Sequence, residues 1–130
     1  RCLIPANSWF EWSNENKPYL IKHKKNEIIA FAGLQRFEEN KERSFVILTA
    51  EAEKNLKAIH KRTPLVINKE NFLFWLGNDY EKAYNILKPI NSNDYIFYPV
   101  SPKVGKISND DMSVTKKYLE KEIQLNLFSN

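Results

Sequence analysis

A single cysteine, Cys2, is the only thiol in the 130 residues, so no disulfide closes within the chain and no cysteine-rich metal site is available. That usage suits a reducing compartment, and a cytoplasmic protein is expected. Histidine is nearly as scarce: His23 and His60 lie too far apart in sequence to suggest a metal site on their own. Neither a metal nor another cofactor is expected. No apolar run approaches the roughly 18 residues that span a bilayer, so no membrane partner is expected. The opening residues carry no secretory-signal pattern, and no internal repeat or low-complexity linker interrupts the chain.

What is present reads as a globular protein. Hydrophobic residues make up 42% of the chain and aromatic residues 13%, enough for a real core in one domain or a piece of one. The net charge is +4 and the pI near 9.1. Lysines gather at Lys22, Lys24 and Lys25; at Lys54, Lys57 and Lys61 with Arg62; at Lys103 and Lys106; and at Lys116 and Lys117. Glu38, Glu39, Glu51 and Glu53 dilute them. Charge alone fits a solvated surface and a phosphate-binding face equally well.

The first twelve residues, RCLIPANSWFEW, set one carboxylate among three aromatic side chains. They read as a β-prone apolar run, a turn at Pro5–Ala6–Asn7–Ser8, and a second extended stretch. If residues 9–12 are extended, Trp9 and Glu11 point one way and Phe10 and Trp12 the other. A carboxyl group that loses water to neighbouring rings favours its neutral form, which can donate a proton. The plainer account is a glutamate at a strand end that reaches solvent.

Further along, PYLIKH (18–23) and IIAFAGL (28–34) read as strands around a polar turn, with Gly33 marking a bulge or a close backbone approach. Residues 36–43 are expected as an exposed loop. SFVILT (44–49) is expected as a strand buried on both faces. Thr49 is placed to cap a helix from Ala50 to about His60, with Ala52, Leu56 and Ile59 on its apolar face. His60 then ends that helix, and as a residue it reads either as a helix-terminal cation or as a proton shuttle. A short helix over 69–76 ends at Gly77, with Phe72, Phe74 and Trp75 in the core. Asn78 with Glu81 starts another helix through about Leu87, with Tyr80, Ala83, Tyr84 and Leu87 on its apolar face. YIFYPV (95–100) is a last strand before a Pro- and Gly-bearing loop.

The opening stretch, the segment SFVILTAEAEKNLKAIHKRTPLVI (44–67) and YPVSPKVGKISNDD (98–111) together resemble the SRAP family, the SOS response-associated peptidase domain of the HMCES and YedK type. The three stretches occur in the family's order, and PYLIKH and IIAFAGL match its connecting strands. The resemblance implies an α+β fold, a mixed and mainly antiparallel barrel-like sheet with flanking short helices, incomplete at the N-terminus. Residues 1–111 would be the C-terminal portion of one SRAP domain, and 112–130 a C-terminal helix or tail.

For function, the resemblance implies a DNA-repair protein that recognises abasic sites in single-stranded DNA. In the family an N-terminal cysteine closes a thiazolidine crosslink on the sugar aldehyde, with lyase and self-processing peptidase activities associated. By position in the matching motifs, Glu11 and His60 resemble the catalytic acid–base pair, and Trp12, Thr49 and Arg62 the pocket and DNA-contacting residues. The chain departs from the pattern at its start. It opens on Arg1 rather than Met-Cys-Gly, and the α-amine of Cys2 is locked in a peptide bond. Cys2 is therefore expected as a half-buried structural thiol, and the chain as the acid–base half of a longer protein.

The tail QLNLF, with Gln124, Leu125, Leu127 and Phe128, is similar to the pentapeptide that binds the bacterial sliding clamp; the alternative is a final strand folded back onto the domain. With clamp binding, the expectation is a bacterial, nucleoid-associated monomer. Three function classes stay open: an abasic-site enzyme, a noncatalytic single-stranded DNA-binding or scaffold module, and, on weaker grounds, a plain cysteine peptidase.

Overall fold

The structure is a computed structural model that describes residues 1–37 and 42–119. Its strands are β1 (Cys2–Ala6), β2 (Ser8–Trp12), β3 (Pro18–His23), β4 (Ile29–Phe37), β5 (Arg43–Ile47), β6 (Thr49–Glu51), β7 (Arg62–Pro64) and β8 (Tyr95–Pro99). Its helices are short: α1 (Lys54–Lys57), α2 (Phe72–Leu76) and α3 (Tyr80–Asn85), with several 3-10 turns. This is the α+β, mainly antiparallel fold expected. Among the described residues the strands make three antiparallel sheets, ordered β1-β4-β5, β2-β3-β8 and β6-β7, that do not close into one barrel.

The opening run divides later than the sequence suggests. Pro5 and Ala6 stay in β1, paired with Ala30 and Ile29, and only Asn7 separates β1 from β2. Consecutive strands then enter different sheets. β1 lies on β4, and β2 lies on β3, which in turn pairs with β8. A core cluster of Ile21, Ile29, Phe31, Ala52, Leu56, Ile59, Ile90 and Tyr95 fills the space between them. Trp9 seals this cluster edge-on against Phe31 at 5.7 Å and Tyr95 at 5.5 Å. A second cluster packs Ala32, Leu65, Ile67, Trp75 and Ala83 under α2 and α3.

The largest revision concerns residues 49–60. The expected helix is a β-hairpin interrupted by one helical turn. Thr49, Ala50 and Glu51 pair with Pro64, Thr63 and Arg62, and the amide of Ala52 donates to the Lys61 carbonyl. Pairing with β7 outcompetes helical propensity, so Thr49 caps nothing and α1 keeps only Lys54–Lys57. The apolar positions were nevertheless the right ones. Ala52, Leu56 and Ile59 are all buried, and burying a Leu or Ile side chain stabilises by about 1.5–3 kcal/mol. These anchors hold the loop, and with it His60, against the core.

Other local readings shift for identifiable reasons. Residues 44–47 are exposed rather than buried on both faces, because β5 is the edge strand of its sheet. Asp79, not Asn78, caps α3 by accepting from the Lys82 amide at 3.0 Å. Tyr80 and Tyr84 face solvent while Ile86 and Leu87 pack with Ala83 on the second cluster. Trp75 is core, Phe72 is partly buried, and Phe74 is exposed. Gly77 ends α2 with ordinary negative φ. The α2 carbonyls are instead met by Arg1, whose guanidinium donates to the carbonyls of Trp75 and Gly77 and lies over the Tyr80 ring. Residues beyond β8 pack back on it: Tyr118 donates its amide to the Pro99 carbonyl at 2.8 Å, and Tyr98 its hydroxyl to the Thr115 carbonyl at 3.0 Å. The pentapeptide at 124–128 lies outside the described residues.

Cys2 is half-buried in β1, as expected of a structural thiol, and faces Gly33 across the β1–β4 pair. A Cβ on Gly33 would stand 2.7 Å from Cys2 Sγ and 2.6 Å from Ile4 Cδ1, so this is the close approach that the glycine foreshadowed. Gly33→Val should therefore lower the unfolding free energy by about 1–3 kcal/mol in urea denaturation. An unchanged midpoint would contradict the packing described.

Candidate active site

Three separate pieces of chain converge on one surface. Glu11 comes from β2, on the face it shares with Trp9, so burial of that indole fixes where the carboxylate sits. His60 lies in the short connection between α1 and β7. Thr49 opens β6 and Arg62 opens β7. The four sequence-predicted residues Glu11, Thr49, His60 and Arg62 thus meet, although 51 positions separate the first from the last.

The contact at the centre is between Glu11 and His60. Oε1 of Glu11 lies 3.6 Å from Nδ1 of His60, with side-chain exposures of 22% and 43%. At that distance the pair is an ion contact when the imidazole is protonated, not a hydrogen bond. The same Nδ1 stands 3.0 Å from the Arg62 carbonyl. A neutral ring that donates Nδ1–H to that carbonyl leaves Nε2 as its proton acceptor. A carboxyl and an imidazole are thus brought into contact, each partly open to solvent and each touched by backbone.

Beside the pair, Arg62 is spread along Thr49. Its Nε donates to the Thr49 hydroxyl at 2.8 Å and its Nη2 to the Thr49 carbonyl at 2.6 Å. Two bonds to one residue fix the plane of the guanidinium while its side chain stays exposed. A fixed, exposed guanidinium is suited to forking onto a phosphate. Trp12 is joined to the site differently. Its backbone amide donates to Glu11 Oε1 at 3.3 Å, whereas strand alternation turns its indole, 38% exposed, to the opposite face.

The helical reading of 50–60 hid one pair. Glu51 binds Lys57 at 2.5 Å, and these two with Lys61 and Arg62 line a cleft of about 450 Å³. The lysine cluster in the sequence was the only signal of it. A larger groove of about 1320 Å³, lined by residues such as His23, Ile67, Phe72 and Tyr95, contains none of the converging site residues. The candidate site is marked by the ionisable pair and not by the size of the concavity. Among the described residues no cluster of three or more His, Cys, Asp or Glu side chains could hold a metal ion. No helix among them is long and apolar enough to cross a membrane.

The hydrogen bond from Lys57, and then its charge, hold the Glu51 carboxyl below its ordinary value of 4.5. A lowered carboxylate stabilises the fold above that value and loses the contribution as pH falls. Lys57→Ala should move the Glu51 midpoint up towards 4.5 in a carboxyl NMR titration and remove this share of acid sensitivity. A midpoint that stays put would show that Lys57 does not hold it.

The chain resembles known proteins along most of its length. The family profile described as SOS response associated peptidase (SRAP) matches residues 1–107. Abasic site processing protein YoqW of Bacillus subtilis is 30% identical over 129 aligned residues, covering 91% of this chain and 58% of its own length. Abasic site processing protein YedK of Escherichia coli is 32% identical over 119 residues, covering 84% and 54%. A crystal structure of a Bacteroides thetaiotaomicron protein superposes with a TM-score of 0.77 at 23% identity, over 90% of this chain and 56% of that one, and supports the fold. The chain therefore spans a little over half the length of the curated relatives it matches. With the family profile covering residues 1–107, the chain belongs to the SRAP family.

Proposed function

We propose that this chain is the acid–base portion of a DNA-repair protein that binds abasic sites in single-stranded DNA and processes them covalently. The contact between Glu11 and His60, beside a guanidinium oriented for phosphate, is the observation that carries this reading. The names of YoqW and YedK, both abasic site processing proteins, support it.

An opened abasic sugar presents an aldehyde. An amine adds to its carbon, and the resulting hydroxyl leaves as water only after it takes a proton. A protonated Glu11 supplies that proton and His60 accepts one from the attacking nitrogen. A thiol on the same residue as the amine then adds to the imine carbon, passes its proton to nitrogen and closes a thiazolidine. Reversal and strand cleavage run through the same two groups. The nucleophile is not Cys2, whose amine is acylated by Arg1 and whose sulfur lies against Gly33. It is an N-terminal cysteine supplied from outside these 130 residues. Arg62 forks onto a phosphate, Thr49 holds Arg62, and Trp12 stacks on an unpaired base. Self-processing peptidase activity would use the same acid–base pair. A second reading is a noncatalytic single-stranded DNA-binding or scaffold module.

At the tail, Gln124, Leu125, Leu127 and Phe128 dock in the apolar groove of a bacterial sliding clamp, which brings the repair activity to replicating DNA in the cytoplasm. Clamp affinity that survives deletion of 124–128 would remove this part of the proposal.

The test of the activity is an adduct assay on single-stranded DNA with one abasic site. The longer protein with an N-terminal cysteine should give a denaturation-resistant adduct and the 130-residue chain should not. Glu11→Gln should slow adduct formation by about 10²–10⁴-fold, and His60→Ala should impair reversal or cleavage more than binding. Unchanged rates for both variants would remove the roles assigned, and DNA binding without any adduct would favour the module.

A further inference from the structure

Arg62 has an acidic residue directly across from it. In the β6–β7 ladder Glu51 is its partner, so the two side chains leave one face of the hairpin with their Cβ atoms about 4.5–5.5 Å apart. Opposite charges so placed attract each other, and a carboxylate on the guanidinium would occupy the donors that a phosphate needs. That pairing is not made. Arg62 reaches along the hairpin to the hydroxyl and carbonyl of Thr49, at 2.8 and 2.6 Å. Glu51 is taken instead by Lys57, whose Nζ stands 2.5 Å from Oε1. Lys57 closes α1, and the buried Leu56 beside it pins that turn to the core. Glu51, Lys57, Lys61 and Arg62 line one cleft, so the carboxylate and the three cations act on the same incoming anion.

We propose that Lys57 is a positioning residue for DNA binding, which holds and neutralises Glu51 and so leaves the Arg62 guanidinium to phosphate. The inference rests on the reading of Arg62 as a phosphate contact and extends it to a residue that acts at one remove. Without Lys57, an uncompensated carboxylate faces Arg62 across the ladder, competes for its donors and repels the phosphate. Lys57 thus works through Glu51 and Arg62, not by touching DNA. The lowered carboxyl of Glu51 agrees with this pairing, since the hydrogen bond from Lys57 is its first cause. Both side chains are more than half exposed, at 57% and 74%, so solvent screens the effect and keeps it modest.

The test measures how tightly the protein with its N-terminal cysteine binds a single-stranded oligonucleotide carrying one tetrahydrofuran residue. That abasic analogue has no aldehyde, so binding is read apart from adduct formation. Lys57→Ala should weaken binding by about two- to fivefold, and adding Glu51→Gln should restore it. Glu53→Gln, the same charge change at an exposed residue outside the cleft, should not restore it. In an Arg62→Ala background Lys57→Ala should have no further effect. A loss that persists in that background would show that Lys57 itself meets DNA and would overturn the proposal. Restoration by Glu53→Gln as full as by Glu51→Gln would overturn it too, by reducing the effect to net charge. If Arg62→Ala weakens binding and Lys57→Ala does not, this inference alone falls. If Arg62→Ala binds as the parent does, the phosphate role of Arg62 falls and takes the inference with it.

Discussion

Three backbone hydrogen bonds around Ala32 hold the architecture together. Its amide donates to the Leu65 carbonyl at 2.9 Å, its carbonyl accepts from the Leu48 amide at 2.9 Å, and the Leu65 amide donates to the Leu48 carbonyl at 2.8 Å. The residue is fully buried, and its small side chain lets three strands close around it. A buried peptide group that loses its partner costs about 1–3 kcal/mol, so each of these bonds resists being broken. Leu48 runs into β6 and Leu65 follows β7. The triangle therefore draws the hairpin carrying Thr49, His60 and Arg62 against β4, and all else in the site follows from where that hairpin lies.

The site itself balances anchoring against access. Trp9 is sunk between Phe31 and Tyr95, and Leu56 and Ile59 are buried four residues and one residue before His60. Each reactive side chain is thus one or two residues from a core anchor, yet remains partly open to solvent. The arrangement leaves the Glu11 carboxyl 22% and the His60 imidazole 43% exposed, so both remain open to solvent. Arg62 is fixed by Thr49 and not by a carboxylate, so its positive charge is left for an incoming anion.

Much of this was legible in the sequence. Apolar periodicity found Ala52, Leu56 and Ile59; the motif resemblance named Glu11, Trp12, Thr49, His60 and Arg62, of which the structure brings all but the Trp12 indole together. The state of 49–60 was not legible, because the same apolar spacing serves a helix and a loop pinned at three points; the pairing of Thr49 with Pro64 that decides between them is a nonlocal contact. The exposure of Phe45 and Val46 could not be read either. Their pattern specifies burial on both faces, and only the sheet order shows that these 130 residues leave β5 at an edge. The cap of α3 slipped by one residue because Asn78 and Asp79 are both good caps and local chemistry does not separate them.

Glu11 and His60, brought within 3.6 Å by the hairpin around Ala32, are proposed to act as one proton-transfer unit. A double-mutant cycle of Glu11→Gln and His60→Ala, read as the rate of abasic-site processing by the protein with its N-terminal cysteine, tests it most directly. Groups that act as a unit are non-additive, so the double variant should be about as slow as the slower single variant. Multiplying effects, with each substitution acting as though the other residue were absent, would contradict it.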